Sequence, residues 1–109
     1  MKTQMKYSLS DKDILNLTLY MAVPDICKRF SHLELNQRRV YRVLEKYQSP
    51  PPLQRRKKFF EDTLNATKVS INTSQKQKKF KVKKAIQLLG EDLCDNIEER
   101  ARLFEEKWT

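Results

Sequence analysis

Glycine is almost absent from this chain: among its 109 residues there is one, Gly90. Tight β-turns draw heavily on glycine, so the count disfavours a β-rich fold. Histidine is equally scarce. With His32 alone, and with Cys27 and Cys94 far apart in sequence, there is no basis for a His-rich metal site or a CxxC pair. A glycine-rich phosphate loop is excluded on the same ground. No run approaches the roughly eighteen consecutive apolar residues that a membrane span needs. Polar residues, not an apolar signal core, follow Met1 to Lys6. These absences point to an intracellular chain without metal, cofactor or membrane, nuclear in a eukaryote or a virus of one and otherwise cytoplasmic. In a reducing compartment the two cysteines read as small buried hydrophobes. The Asn-x-Ser/Thr sequons at Asn16, Asn65 and Asn72 then read as chance matches.

What the chain does have is charge and regularly spaced apolar residues. Hydrophobic residues make up 39% and charged residues 34%, enough for one modest core beneath a heavily charged surface. The spacing predicts a single, mainly α-helical domain over residues 1–109. It comprises a three-helix unit over 14–47, a Pro-rich connector over 48–52, and then a basic helix, a polar loop and a long amphipathic helix over 53–109. Ser10 followed by Asp13 resembles a capping box ahead of Ile14, Leu15 and Leu17. Pro24 ends that helix and opens the next, in which Val23, Ile26, Cys27 and Phe30 share one face. Residues 31–35 read as a turn and Asn36 as an N-cap. Val40, Val43, Leu44 and Tyr47 then repeat the helical spacing over about Gln37 to Tyr47, and Arg38, Arg39, Arg42 and Lys46 take the opposite face.

Pro50, Pro51 and Pro52 stop this helix. A fourth is predicted from Leu53 to Leu64 and a loop from Asn65 to Ser74, with a basic β-hairpin through Val69, Ile71, Phe80 and Val82 as the lesser alternative. The last stripe runs through Val82, Ile86, Leu89, Leu93, Ile97, Ala101, Phe104 and Trp108 in steps of three and four. Gly90, followed by Glu91 and Asp92, is a point at which this helix could divide.

Catalytic groups are few. Glu61 and Asp62, like Glu98 and Glu99, are adjacent in sequence and diverge by about 100° on a helix, so they form surface, not a site. An enzyme is not expected. Positive charge is the stronger signal. The net charge is +9, but residues 91–109 carry −4, which leaves +13 on residues 1–90. A cationic body of this kind suits a polyanion through counterion release.

Two segments carry a further implication: Val23-Pro24-Asp25-Ile26-Cys27-Lys28-Arg29-Phe30 and Asn36-Gln37-Arg38-Arg39-Val40-Tyr41-Arg42-Val43-Leu44. With the helix before them they resemble a helix-turn-helix DNA-binding domain over about Ile14 to Tyr47, although the turn is long and lacks the customary glycine. The resemblance implies a recognition helix that offers Asn36, Gln37, Arg38, Arg39, Tyr41, Arg42 and Lys46 to bases or phosphates. Arg55, Arg56, Lys57 and Lys58, and the run containing Lys78, Lys79 and Lys81, would grip the backbone. The expected partner is nucleic acid, DNA before RNA, and the expected role that of a small regulator or the DNA-binding part of a mobile-element or viral protein. The alternative is a helical adaptor for an acidic protein, or a homodimer, docking through Leu93, Ile97, Phe104 and Trp108.

Overall fold

A computed structural model describes residues 7–67 and 74–108, with the side chain of Trp108 outside that description. The mainly helical fold is confirmed. The chain forms α1 (Asp11–Tyr20), α2 (Val23–Arg29), a single 3₁₀ turn (Ser31–Leu33), α3 (Gln37–Lys46), α4 (Pro52–Ala66) and α5 (Gln75–Trp108), and no strand is present among the described residues. Phe80 and Val82 are helical, so that half of the hairpin alternative is excluded. Val69, Ile71 and most of the predicted loop lie outside the described residues.

Local chemistry sets the helix ends. Ser10 accepts a hydrogen bond from the Asp13 amide, as a cap should. The Asp13 carboxylate takes another role: it is buried and receives both terminal nitrogens of Arg100 from α5, at 3.3 and 3.4 Å. Asn36 caps α3 by accepting from the Arg39 amide at 2.9 Å. At the far end of α3 the Gln48 amide donates to the Glu45 carbonyl and the Ser49 amide to that of Leu44. This paired closure places Gln48 at φ 51, a left-handed position that glycine usually takes. Glu34 does the same at φ 63 between α2 and α3, so the turn is made without the glycine whose absence the sequence showed.

Ile14 and Leu17 of α1, Val23, Ile26 and Phe30 of the α2 region, Leu33 and Leu35 of the turn, and Val40, Val43 and Leu44 of α3 form one core. It is closed by Cys94, Ile97 and Ala101 from the second half of α5. Gly90, where a division was possible, does not interrupt α5, which runs unbroken for 34 residues as the expected long C-terminal helix. At 1.5 Å per residue it is a rod of about 50 Å. Gly90 is buried where α5 passes the end of α1, and its function is close approach, not helix termination.

By contrast, α4 has no fully buried residue. An edge-to-face contact between Tyr20 and Phe59, with centroids 5.3 Å apart, helps hold it on α1. Two arginines complete the attachment. Arg55 donates to the Thr18 hydroxyl, the Ser49 hydroxyl and the Leu15 carbonyl, at 3.0, 2.6 and 3.0 Å, and Arg56 donates to the Met21 carbonyl.

Candidate nucleic-acid interface

The basic residues that the sequence marks as one set divide into two groups. In α3 the apolar residues Val40, Val43 and Leu44 point into the core, which turns Arg38, Tyr41, Arg42 and Glu45 outward. All four are exposed. Arg38 and Arg42 are four residues apart, so they stand one above the other about 6 Å along the helix axis.

Partnering separates these two from every other arginine. Of the eight arginines in the chain, six hydrogen-bond to the protein. Arg29 meets Asp95 and Glu98, Arg39 the Leu9 carbonyl, Arg100 Asp13, and Arg102 Glu99 and Glu106. Arg55 and Arg56 hold α4. Arg38 and Arg42 have no hydrogen bond or ion pair with any described residue.

Several expected contact residues are thereby committed elsewhere. Arg39 is half-buried and ties α3 to the segment ahead of α1. Lys46 pairs with Asp11 at 3.1 Å, and the Tyr47 hydroxyl donates to the same carboxylate. That hydrogen bond from Lys46 is the main cause that holds the Asp11 carboxyl below its ordinary range. Asn36 spends its side-chain oxygen on the cap. Arg55 is turned into the protein, and loss of hydration lowers its pKa. Gln37, Lys57 and Lys58 remain exposed. In α5, Lys79 and Lys81 are exposed and Lys78 half-buried, as part of a helical run with Lys76, Lys83 and Lys84.

The stripe expected to meet a partner is turned inward. Ile97 is completely buried, Leu93 packs on the core, and Phe104 meets Tyr7 edge to face with centroids 5.8 Å apart. A domain this small needs that apolar face for itself, so these three side chains are spent within the monomer; Trp108 falls outside the description. Phe80, in the first turns of α5, is exposed.

Sequence reasoning missed a cleft of about 900 Å³ between the end of α1, α2, α4 and α5. Leu19, Met21, Phe60, Ile86 and Cys94 line it, and Lys57, Lys83, Glu61 and Glu91 also border it. Its only trace in the sequence is Leu19 and Phe60, apolar residues left over once each helix has been given its core face. Burial raises the pKa of the Cys94 thiol, whose sulfur lies 3.4 Å from that of Met21. Among the described residues no group of His, Cys, Asp and Glu could hold a metal ion. None of the helices is long and apolar enough to cross a membrane. Comparison with family models, with curated proteins and with solved structures finds no match for this chain.

Proposed function

We propose that this chain binds duplex DNA, with the outer face of α3 in the major groove and the exposed Lys57 and Lys58 of α4 against the phosphates. One observation carries the reading: Arg38 and Arg42, alone among the arginines, have no partner among the described residues, and they stand side by side on a helix held by its buried face. Guanidinium groups so placed match the paired acceptors on a guanine edge, and Tyr41 between them adds apolar reach. The reading is supported by α1, α2 and α3 packing against one another on one core, as a helix-turn-helix arrangement requires.

A titration with labelled duplex, single-stranded DNA and structured RNA at several salt concentrations tests this. Duplex should bind best, and affinity should fall steeply as salt rises, because each neutralised phosphate releases counterions. Equal affinity for all three ligands would reduce the interaction to unspecific charge.

The cleft favours a second reading. Its apolar floor and mixed-charge borders suit an amphipathic helix of another protein, laid between α4 and α5. In that case blocking the cleft, for instance by Phe60→Arg, should abolish partner binding and leave the duplex titration unchanged.

A further inference from the structure

Charge reverses along α5. Residues 75–90 hold six lysines and no acid, whereas residues 91–108 hold seven acids against three bases. The lysines occupy the end where the helix dipole is already positive, and Lys79 and Lys83, like Lys81 and Lys84, are like-charge neighbours one turn apart. No residue before Val82 is buried, so the first two turns project past the core. None of the six lysines forms an ion pair with a described acid. Nor can the lysines of the first turns reach the acids in the far half of their own helix. From Lys81 to Glu99 is about 27 Å along a continuous rod, and only a break in α5 would bring the two together.

Opposite its buried face, α5 presents an uncovered strip through Lys81, Ala85, Leu88, Asp92, Glu99 and Leu103, all exposed and spaced for a helix–helix seam. Leu88, its neighbour Leu89, and Leu103 are each about half exposed. We infer that this strip pairs α5 with α5 of a second copy, antiparallel about a twofold axis level with Leu88 and Leu89. Antiparallel pairing lays each lysine half along the other copy's acidic half. Lys78 then comes opposite Glu99 of the second copy, and Lys81 falls between its Asp92 and Glu99, while the leucine pairs pack across the axis. A parallel pair would set lysine against lysine. The surface is self-complementary in one direction only, as a twofold interface requires. Gly90, Ile97 and Ala101 keep their places in the monomer core.

The test needs no nucleic acid, so its outcome is separate from that of the DNA titration. Sedimentation equilibrium of the full chain at low salt should give twice the chain mass, shifting towards the single-chain mass as salt rises. Two charge reversals, Lys78→Glu with Lys81→Glu and Asp92→Lys with Glu99→Lys, should each weaken self-association at least about tenfold. Mixed in equal amounts, the two variants should re-associate as heterodimers. Leu88→Arg should weaken pairing with the lysine–acid pairs left in place. Lys81, Leu88, Asp92 and Glu99 are exposed and Lys78 is half-buried, and circular dichroism checks that α5 is retained. The single-chain mass at every concentration of the unaltered protein would overturn the inference. So would a dimer indifferent to these substitutions, or reversed variants that fail to rescue each other.

Discussion

A Cβ placed on Gly90 would stand 2.9 Å from the Cβ of Tyr20, closer than two carbons can sit. The obstacle lies next to the α1 backbone, so no swing of a flexible side chain relieves it. Elsewhere in an exposed helix, Gly→Ala gains up to about 1 kcal/mol from propensity. Here we expect the reverse. Gly90→Ala should lower stability by about 1–3 kcal/mol through overpacking, read as a reduced denaturation midpoint with an unchanged slope. An unchanged or raised midpoint would show that α1 and α5 separate at little cost.

The two free arginines make a cleaner functional test than the tethered ones. Arg38→Ala or Arg42→Ala should weaken binding to a preferred duplex by about 1–3 kcal/mol. Each should leave thermal stability within about 0.5 kcal/mol, because neither side chain holds anything within the protein. Arg39→Ala is the counter-case, for it removes the hydrogen bond to the Leu9 carbonyl and should cost stability first. Anisotropy titrations on preferred and scrambled duplexes, with melting curves beside them, separate the two effects. Equal losses on both duplexes would rule out base reading by α3.

Arg55 fixes α4 through its planar fork, whose nitrogens reach a hydroxyl of α1, a hydroxyl of the connector and a backbone carbonyl. Lysine keeps the charge but cannot span three acceptors. Arg55→Lys should therefore destabilise the protein by about 1.5–3 kcal/mol. Amide exchange should accelerate in α4 before it does in α1–α3. Uniform acceleration would mean that α4 is not a separate unit.

Asp11 gives the protein a pH dependence of known sign. Its carboxyl loses its proton more readily in the folded chain, chiefly through the Lys46 hydrogen bond and with help from Tyr47. The stabilising contribution is thus complete above the unfolded pKa and is lost as pH falls through the lowered folded value. Denaturation curves between about pH 6 and pH 2 should show a smaller acid loss in Lys46→Met than in the unaltered chain. Added salt should narrow the difference, because the pair is exposed. Parallel losses would leave Asp11 without influence on folding.

Periodicity located α3 and α5 because each has a dominant apolar face: Val40, Val43 and Leu44 in α3, and Ile97 and Ala101 in α5. Caps were legible where one side chain makes them, as at Ser10 and Asn36. Gly90 left the continuity of α5 open, because local propensity weighs a glycine against the helix, whereas Tyr20, seventy residues away, decides its place. The C-terminal stripe was ambiguous for a related reason. An apolar face announces burial without saying whether its own chain or another covers it, and here the core takes Ile97. In the basic set, sequence could mark cations but could not tell Arg38 and Arg42 from Arg39 and Arg55, since the difference lies in acceptors such as the Leu9 and Leu15 carbonyls. The cleft had no local signature, being a gap between four elements.

With nothing fully buried, α4 is the element whose release costs least, and its loss would leave the core contributed by the other helices in place. Such a partial opening would widen the hollow beside α5 without disturbing Arg38 or Arg42, whose support comes from α1 and α2. If α3 holds a duplex as proposed, an occupant of that hollow can be exchanged without releasing it.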